Sequence, residues 1–372
     1  MMKRIYILIA VLPILFGGCG KAQHVELPPP PAGEETPGGG ENPGDEPGGD
    51  EPGGGGDGQT HPWDENRGKV VTPSGSQWTS STVREGITYY HFSGTDAVSG
   101  AKQEAFAVDL DLNNPKYEVL MTRNSAAVAS AIHAKYNAIA TVNAGYEAGS
   151  IYVRSQGIDY SIIPNVQIGD TGQDNWKSEG AFFIDKNGAP GMVFLGSPKR
   201  NGVLKDIQGC TYAEAVKKQR AYYMSMSKEY YPYLLSSAPM MIDDFEPLGE
   251  TFCDYTITAA AAEKLNSEHL EHHQRVRHPR SAVALTENKH LILFVVDGRR
   301  TARQGMSCKE LTDFMIKWFN PQWALNLDGG GSTTLCVEGL GDSREVVNSP
   351  IDGGVSGQER ARDTHILIVE KQ

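Results

Sequence analysis

The segment 326–335 gathers the side chains best able to do chemistry in this chain. It reads Asn-Leu-Asp-Gly-Gly-Gly-Ser-Thr-Thr-Leu, so one acid, three glycines and three hydroxyl residues stand between two apolar stretches. A strand that breaks into three glycines exposes backbone N–H groups with no Cβ in the way, and such a loop can surround an anion. Ser332, Thr333 and Thr334 would add hydroxyl donors, and Asp328 would add a carboxylate. On the three glycines alone, a glycine-rich turn between two strands is the simpler interpretation.

Polar side chains also follow the predicted ends of other strands. An apolar segment at 138–146 ends in Asn-Ala-Gly-Tyr and offers Asn143 and Glu147. Downstream of the glycine loop, the polar residues with a possible role in a site are Asn348, Asp352, Glu359 and Arg360. Side chains at strand ends leave the sheet, so these groups could meet in one crevice.

A third set lies on two strands that a tight turn connects. His-Pro-Arg-Ser at 278–281 begins one strand, and Val-Asp-Gly-Arg at 296–299 ends the next. The turn could bring Arg280 and Asp297 to one end of the sheet or to opposite ends, and the sequence leaves both arrangements open. Asp-Gly is also typical of hairpin turns, so Asp297 and Asp328 could simply cap turns.

Other candidate chemistry is weaker. His269, His272 and His273 have helical spacing that could bind a metal ion, but charged neighbours favour a solvated helix end. The chain has no Gly-Lys-Ser/Thr phosphate loop and no Gly-x-Ser-x-Gly nucleophile motif.

The elements that must position these groups are strands with interspersed helices. Periodicity predicts helices at 125–136, 211–226, 258–276 and 307–319. It predicts strands at 85–92, 105–112, 117–121, 138–146, 151–154, 158–163, 181–185, 192–195, 281–286, 290–297, the approach to 328, 333–337, near 346, and 365–369. The segment 234–242 is apolar with a proline break. Strands outnumber helices and neighbouring strands often join by short turns. The predicted class is therefore α+β, a single domain with mixed β-sheets forming a central core and flanking helices.

The N-terminus predicts export. Residues 1–18 carry Lys3 and Arg4, then an apolar run too short to span a bilayer, then two glycines before Cys19. Small residues before a cysteine favour a lipoprotein signal, with Cys19 lipidated and holding the protein to a membrane. The alternative is an ordinary secretory signal with an incidental cysteine. In either case we expect a location outside the cytoplasm, periplasmic or on the cell surface.

Residues 19–65 are rich in Pro, Gly, Glu and Asp and predict a disordered tether. Eleven acidic residues and one lysine in 20–65 give this segment most of the chain's net charge of −12. The predicted domain at 66–372 is therefore nearly balanced in charge. Without a basic excess, nucleic-acid binding is not expected.

Besides Cys19, the chain has four widely spaced cysteines: Cys210, Cys253, Cys308 and Cys336. An even number in an exported protein permits disulfides, and four cysteines allow three pairings. No Cys-x-x-Cys occurs, which disfavours zinc. We expect no bridge or one, with the other cysteines buried.

Taken together and in order, the motifs resemble the phosphodiester glycosidase family, which includes the mannose 6-phosphate uncovering enzyme. The segments that carry the resemblance are Asn-Ala-Gly-Tyr (143–146), His-Pro-Arg-Ser-Ala (278–282), Val-Asp-Gly-Arg (296–299), Gly-Met-Ser-Cys-Lys-Glu-Leu (305–311), Asn-Leu-Asp-Gly-Gly-Gly-Ser (326–332), Val-Asn-Ser-Pro-Ile-Asp-Gly-Gly (347–354) and Glu-Arg (359–360). The resemblance spans about 106–369. Glu147 departs from it, because the family commonly has an aromatic residue there.

The resemblance implies cleavage of a sugar-1-phosphodiester between the anomeric carbon and the phosphate oxygen. It implies a phosphate site formed by arginines and the glycine loop, and a carboxylate that stabilises the oxocarbenium-like centre or activates water. Asp328 and Asp297 are the catalytic candidates. The substrate-binding candidates are Arg280, Arg299, Asn143, Gly329, Gly330, Gly331, Ser332, Thr333, Asn348, Asp352, Glu359 and Arg360.

The expected partner is thus a glycan or sugar-1-phosphodiester, and no cofactor is expected to be required. A divalent metal ion is compatible with the carboxylates, but nothing in the spacing indicates one. Two alternatives remain: a glycan-binding lipoprotein without turnover, and a metal-dependent phosphodiesterase that cuts the P–O bond.

Overall fold

The structure, a computed structural model, describes residues 68–147, 149–161, 167–168, 173–249 and 257–372. The predicted signal, Cys19, the tether, Cys253 and the last two residues of the predicted strand 158–163 lie outside these ranges. None of the helices in these ranges combines the length and the hydropathy of a transmembrane span.

The described chain contains many short strands and five α-helices. The strands are β1 (Trp78–Arg84), β2 (Ile87–Thr95), β3 (Lys102–Asp111), β4 (Tyr117–Ala127), β5 (Ala140–Asn143), β6 (Val153–Ser155), β7 (Ile158–Ser161), β8 (Gln167–Ile168), β9 (Gln173–Asp174), β10 (Gly180–Ile184), β11 (Pro190–Phe194), β12 (Gly196–Ser197), β13 (Arg200–Asn201), β14 (Tyr233–Ser237), β15 (Met240–Asp243), β16 (Glu246–Pro247), β17 (Arg280–Leu285), β18 (His290–Val296), β19 (Trp323–Asn326), β20 (Leu335–Val337) and β21 (Arg362–Glu370). The helices are α1 (Ala129–Tyr136), α2 (Tyr212–Ser225), α3 (Ala259–Ala262), α4 (Leu270–Arg275) and α5 (Cys308–Phe319).

The largest sheet has eight strands in the order β1-β2-β3-β18-β17-β19-β15-β16, all paired antiparallel. Its central strands β17 and β18 are apolar along nearly their whole length because both faces of the sheet are covered. On one face, Phe294 and its neighbours pack against Leu311 and Phe314 of α5. On the other face, Val283 and Leu293 join a larger core shared with two further sheets.

Those two sheets have five strands (β11-β10-β14-β6-β7) and four strands (β20-β5-β21-β4). Phe182 and Leu235 from the first, and Val142 and Ile366 from the second, point into the shared core. Helix α1 covers the outer face of the four-stranded sheet, where Ile132 packs with residues of β21. The α+β class is confirmed, and the named strands pair antiparallel.

Strand register settles where the candidate site residues meet. Arg280 pairs with Val296, so Arg280 and Asp297 lie at the same end of the eight-stranded sheet. Ala282 pairs with Asn326, which carries the chain into Asp328 at that end as well. The Asp328 N–H donates to the carbonyl of Ala144 at 2.9 Å, joining this end to the end of β5. This end of the sheet therefore brings together three segments that are distant in the chain.

Helices α2 and α5 begin where the sequence predicted. Thr211 and Ser307 each form a capping box with a glutamate three residues later, which satisfies N–H groups at the helix start. Two other helix predictions were wrong in extent. Residues 125–127 belong to β4, because Ala127 pairs with Arg362, and α1 starts only at Ala129.

The predicted helix 258–276 is two short helices. Asn266 accepts hydrogen bonds from the N–H groups of Glu268 and His269, which forms a turn between them. The imidazole of His269 then caps α4 by accepting the Glu271 N–H. Side-chain hydrogen bonds of this kind compete with the helix and break it here.

Candidate active site

The glycine loop is held by hydrogen bonds from its surroundings. Gly330 N–H donates to the Pro279 carbonyl at 2.8 Å, Thr334 N–H to Asn143 Oδ1 at 3.0 Å, and Leu335 N–H to Asn348 Oδ1 at 2.8 Å. Of the N–H groups between positions 328 and 334, those of Gly329 and Gly331 have no acceptor among the described residues. The loop is therefore a fixed turn with few spare donors, and an anion bound there needs side chains as well.

Close approach explains why glycines occupy this loop. A Cβ on Gly329 would lie 2.6 Å from the Pro279 carbonyl oxygen, well inside contact distance. A Cβ on Gly331 would lie 2.7 Å from both Arg360 Nη2 and Asp352 Oδ1. Gly330 has φ +63°, in the left-handed region that favours glycine. The glycines let two charged side chains reach the loop backbone.

Asp328 is buried at the start of this loop and ion-paired. Its Oδ2 accepts a hydrogen bond from Arg362 Nε at 2.5 Å, and the same Nε lies 2.8 Å from Ser332 Oγ. Burial raises the pKa of Asp328, an effect that Arg362 and the Ser332 hydroxyl oppose and that nearby Glu147 reinforces. Arg362 was absent from the sequence prediction. Its position two residues after Arg360, at the start of β21, is the signal that could have found it.

Asn143 and Asn348 use their amides to hold the site together. Asn143 donates to the Asp328 carbonyl at 2.6 Å and accepts from the Ser281 hydroxyl at 2.7 Å. Asn348 donates to Asp297 Oδ1 and to the Thr333 carbonyl, each at 3.0 Å. Both were predicted to bind substrate, and the structure places them as supports of the two aspartates.

Asp297 is also buried, but its carboxylate is saturated within the fold. Besides Asn348, it accepts from the Ser349 N–H at 3.0 Å and from Arg303 Nη1 at 3.0 Å, and Arg300 Nη1 lies 3.9 Å away. Burial raises the pKa of Asp297, while these donors lower it. This carboxylate anchors the segment after β20 to the end of β18.

Three arginines among the predicted substrate-binding residues form a crowded basic cluster. Arg280 is buried and donates to the carbonyls of Met306 at 2.9 Å and Val276 at 2.9 Å. Arg360 pairs with Asp352 at 2.6 Å. Arg299 is exposed and has a backbone φ of +61°. Its guanidinium lies against Gly330.

The charge of Arg299 is not matched by a carboxylate partner. Partial burial and the nearby guanidinium groups of Arg360 and Arg280 lower the pKa of Arg299, more than Asp352 and Asp328 raise it. Within the described residues, Arg299 makes no hydrogen bond or salt bridge. An anion beside these three arginines would relieve their mutual repulsion.

Glu359 lies elsewhere in this arrangement. Its carboxylate accepts from the Ser130 hydroxyl at 2.6 Å and the Ser130 N–H at 3.0 Å, and Arg344 Nη1 lies 3.1 Å away. The structure gives Glu359 the role of fixing the start of α1. It does not bring Glu359 to the guanidinium cluster.

A second group of charged residues, largely missed by sequence reasoning, also adjoins Asp328. Lys177 is buried, and its Nζ bonds to Glu268 at 2.6 Å and to Glu147 at 3.2 Å. The same ammonium lies 4.5 Å from the ring centre of Tyr146. These residues are far apart in the chain, so no local sequence pattern predicted that they would meet.

His273, predicted to be solvated, packs into this group instead. Its ring centre lies 4.6 Å from that of Trp176, and its Nε2 lies 3.1 Å from the Tyr146 hydroxyl. Burial and the nearby charge of Arg280 keep the pKa of His273 well below its usual range, so the imidazole is neutral. Within the described ranges, no three His, Cys, Asp or Glu side chains are placed to hold a metal ion.

Comparison with known proteins identifies a family and solved structures with a similar fold. A family model described as phosphodiester glycosidase matches residues 136–369. Among solved structures, the catalytic domain of zebrafish N-acetylglucosamine-1-phosphodiester alpha-N-acetylglucosaminidase, auto-inhibited by its pro-peptide, matches with a TM-score of 0.51 and 17% identity, over 82% of this chain and 87% of that chain. A hypothetical protein from Synechocystis matches with a TM-score of 0.47 and 16% identity, over 80% of this chain and 64% of that one. No curated protein matches the sequence.

Proposed function

Because the chain belongs to the phosphodiester glycosidase family, we propose that it hydrolyses the C1–O bond of a sugar-1-phosphodiester, releasing the free sugar and a phosphomonoester. The observation that carries the proposal is that one glycine loop adjoins both a cluster of three arginines, in which Arg299 has no carboxylate partner in the described chain, and the buried carboxylate of Asp328. The arginine cluster can bind the phosphodiester, and the carboxylate can stabilise positive charge at the anomeric carbon.

On the phosphate side, Arg299 is the group free to bind. Its guanidinium can present two parallel N–H donors to a phosphate, which is the geometry that arginine favours. Arg280 adds positive charge but is fixed by backbone carbonyls, and Arg360 is partly neutralised by Asp352. The N–H groups of Gly329 and Gly331 could add two further donors.

The leaving group explains why such a site needs charge more than a proton donor. A phosphomonoester is already a stable anion at neutral pH, so its departure gains little from protonation. It gains more from donors that stabilise negative charge as it develops in the transition state. The arginine cluster provides that stabilisation.

On the sugar side, Asp328 is the carboxylate we propose as catalytic. It would stabilise positive charge at the anomeric carbon or activate the attacking water, as carboxylates do in glycoside hydrolysis. Arg362 and Ser332 fix its orientation. We assign Asp297, whose oxygens are fully used, a positioning role that keeps Asn348 and the loop in place.

The deciding experiment is hydrolysis in ¹⁸O-labelled water. We expect the label in the released sugar, because the proposed attack is at carbon. Label in the phosphate would identify a phosphodiesterase that cuts P–O and would overturn the proposal. Absence of product from every sugar-1-phosphodiester in a panel, with retained binding, would identify a glycan-binding protein. Full activity after chelation would argue separately against a metal-dependent phosphodiesterase.

We further propose that lipidation of Cys19 anchors the protein to a membrane outside the cytoplasm, which would place the site among extracellular glycans. Support comes from the sequence alone, since Cys19 lies outside the described residues. A Cys19→Ser variant should move from the membrane fraction to the soluble fraction. Retention of the variant in the membrane fraction would contradict the anchor.

A further inference from the structure

The charged cluster formed by Glu147, Lys177 and Glu268 adjoins the proposed catalytic carboxylate. The chain segment that carries Glu147 contacts Asp328 directly, through the hydrogen bond from Asp328 N–H to the Ala144 carbonyl at 2.9 Å. The charges of Glu147 and Lys177 both act on Asp328. This cluster therefore borders the part of the site where the sugar would lie.

Glu147 is the most exposed member of the cluster, ahead of Glu268, whose side chain is 32% exposed. The side chain of Glu147 is 47% exposed, whereas that of Lys177 is 1% exposed. Lys177 lies closer to Glu268, at 2.6 Å, than to Glu147, at 3.2 Å. The side-chain hydrogen bonds that Glu147 accepts from Lys177 and Ser150 both go to Oε2 and leave Oε1 out. These contacts thus hold one carboxylate oxygen and not the other.

The two sides of the site also differ in charge. Around the glycine loop, Arg280, Arg299 and Arg360 outnumber Asp352. Around the cluster and the adjoining Asp328, three carboxylates share the positive charges of Lys177 and Arg362. Although burial opposes it, the pairing with Lys177 lowers the pKa of Glu147, so this carboxylate is charged at neutral pH.

We propose that Glu147 selects the sugar: it favours rings that present a hydroxyl or ammonium donor and disfavours rings that carry a carboxylate. The assignment rests on the proposed hydrolysis of sugar-1-phosphodiesters and deepens it. The substrate class is therefore neutral or amino sugars joined through C1 to a phosphodiester, with uronic acids excluded.

The physical basis is that a fixed negative charge attracts hydrogen-bond donors and repels other anions. A charge-assisted hydrogen bond from a sugar hydroxyl or ammonium to Glu147 is stronger than a neutral one. A sugar carboxylate in the same place would meet a like charge and leave both groups poorly solvated, which costs several-fold to many-fold in affinity. A site of this kind discriminates mainly by rejecting the wrong charge.

The test compares three donors with the same phosphoryl leaving group: glucosyl, glucosaminyl and glucuronosyl phosphodiesters. For the wild-type protein, we expect kcat/KM for the glucuronosyl donor to be at least about tenfold below that for the glucosyl donor. Glu147→Gln keeps the shape but removes the charge, and should reduce this ratio to within about threefold. Glu147→Asp keeps the charge and should keep the order of the three donors.

Glu338→Gln is the matched control, because Glu338 pairs with Arg84 at the surface and takes no part in the site. It should leave all three kcat/KM values unchanged. Equal or better use of the glucuronosyl donor by the wild type, or an unchanged ratio in Glu147→Gln, would overturn the selectivity role while leaving the hydrolysis intact. If the wild type cleaves none of the donors, the proposed function fails, and the selectivity assignment falls with it.

Discussion

At the scale of single residues, two buried aspartates at one sheet end have different surroundings. Asp297 is held by Asn348, Ser349 and Arg303, whereas Asp328 is held on one side by Arg362. A carboxylate with all its acceptor sites used supports the fold, and one with an available oxygen can act on a substrate. The two should therefore respond differently to the same substitution.

We predict that Asp328→Asn lowers kcat by at least about 10³-fold, over and above the stability lost with its buried ion pair to Arg362. Asp297→Asn should instead lower the free energy of unfolding by about 2–3 kcal/mol, because an amide cannot accept from all of its present donors. Steady-state kinetics and urea unfolding of both variants make the comparison. Full turnover by Asp328→Asn would contradict the assignment of Asp328 as the catalytic carboxylate.

Arg299 gives a second prediction at this scale. Arg299→Ala should weaken binding of inorganic phosphate about tenfold, because it removes the guanidinium best placed to bind. Stability should hold or rise slightly, since the like charges of Arg360 and Arg280 no longer face it. Arg84→Ala, at a surface salt bridge, is the control for loss of one positive charge. Isothermal titration with phosphate measures both, and equal affinities would contradict the role of Arg299.

At the scale of elements, helix α5 connects stability to the site. Ser307 and Glu310 form its capping box, with Glu310 N–H to Ser307 Oγ at 3.1 Å and Ser307 N–H to Glu310 Oε2 at 2.9 Å. The preceding residue, Met306, accepts the hydrogen bond from Arg280 Nε. The start of this helix therefore fixes both the helix and a buried arginine of the proposed phosphate site.

We predict that Ser307→Ala lowers the free energy of unfolding by about 1 kcal/mol and also raises KM for a phosphodiester. Thr211→Ala removes the equivalent box from α2, which is exposed, and should cost similar stability without changing KM. Urea unfolding and initial-rate kinetics test the pair. A KM that changes equally in both variants would show that the cap of α5 has no particular link to Arg280.

The elements also show how far local sequence could predict the fold. The starts of α2 and α5 were predicted to within a residue because capping boxes are local signals. The end of β4 and the break between α3 and α4 were missed because they depend on pairing with β21 and on side-chain hydrogen bonds of Asn266 and His269. The glycine loop and its arginines were found from motifs. Arg362 was missed although it lies two residues after Arg360. Lys177 and its partner Glu268 were missed because only the tertiary fold brings Lys177 near Asp328.

At the scale of the whole molecule, a carboxylate outside the site should make stability depend on pH. Burial, reinforced by Asp244 and Glu246, raises the pKa of Asp243 to about 6. In the unfolded chain an aspartate has a pKa of about 3.9. Between these values the folded state holds a proton that the unfolded state has released, so rising pH favours unfolding in this window.

We therefore predict that the contribution of Asp243 to the free energy of unfolding falls by roughly 1–2 kcal/mol between about pH 4 and about pH 6. Asp243→Asn should remove this part of the pH dependence and be more stable than the wild type near pH 7. The difference in unfolding free energy between the two proteins, measured from pH 4 to pH 7, isolates the effect from other titrating groups. A difference that does not change with pH would contradict it.

Asn143 makes the site rigid before any ligand arrives, since its one amide joins the Asp328 carbonyl, the Ser281 hydroxyl and the Thr334 N–H. Residue 147, only four positions later, is half-exposed and outside that network. A substitution at 147 can thus change the contact with the sugar while the Asn143 network keeps the reactive groups in place. Such a separation lets the substrate change in evolution while the reaction stays the same. A directed-evolution library confined to Glu147 and its immediate neighbours should yield variants with altered sugar preference at a higher frequency than one spread over the glycine loop.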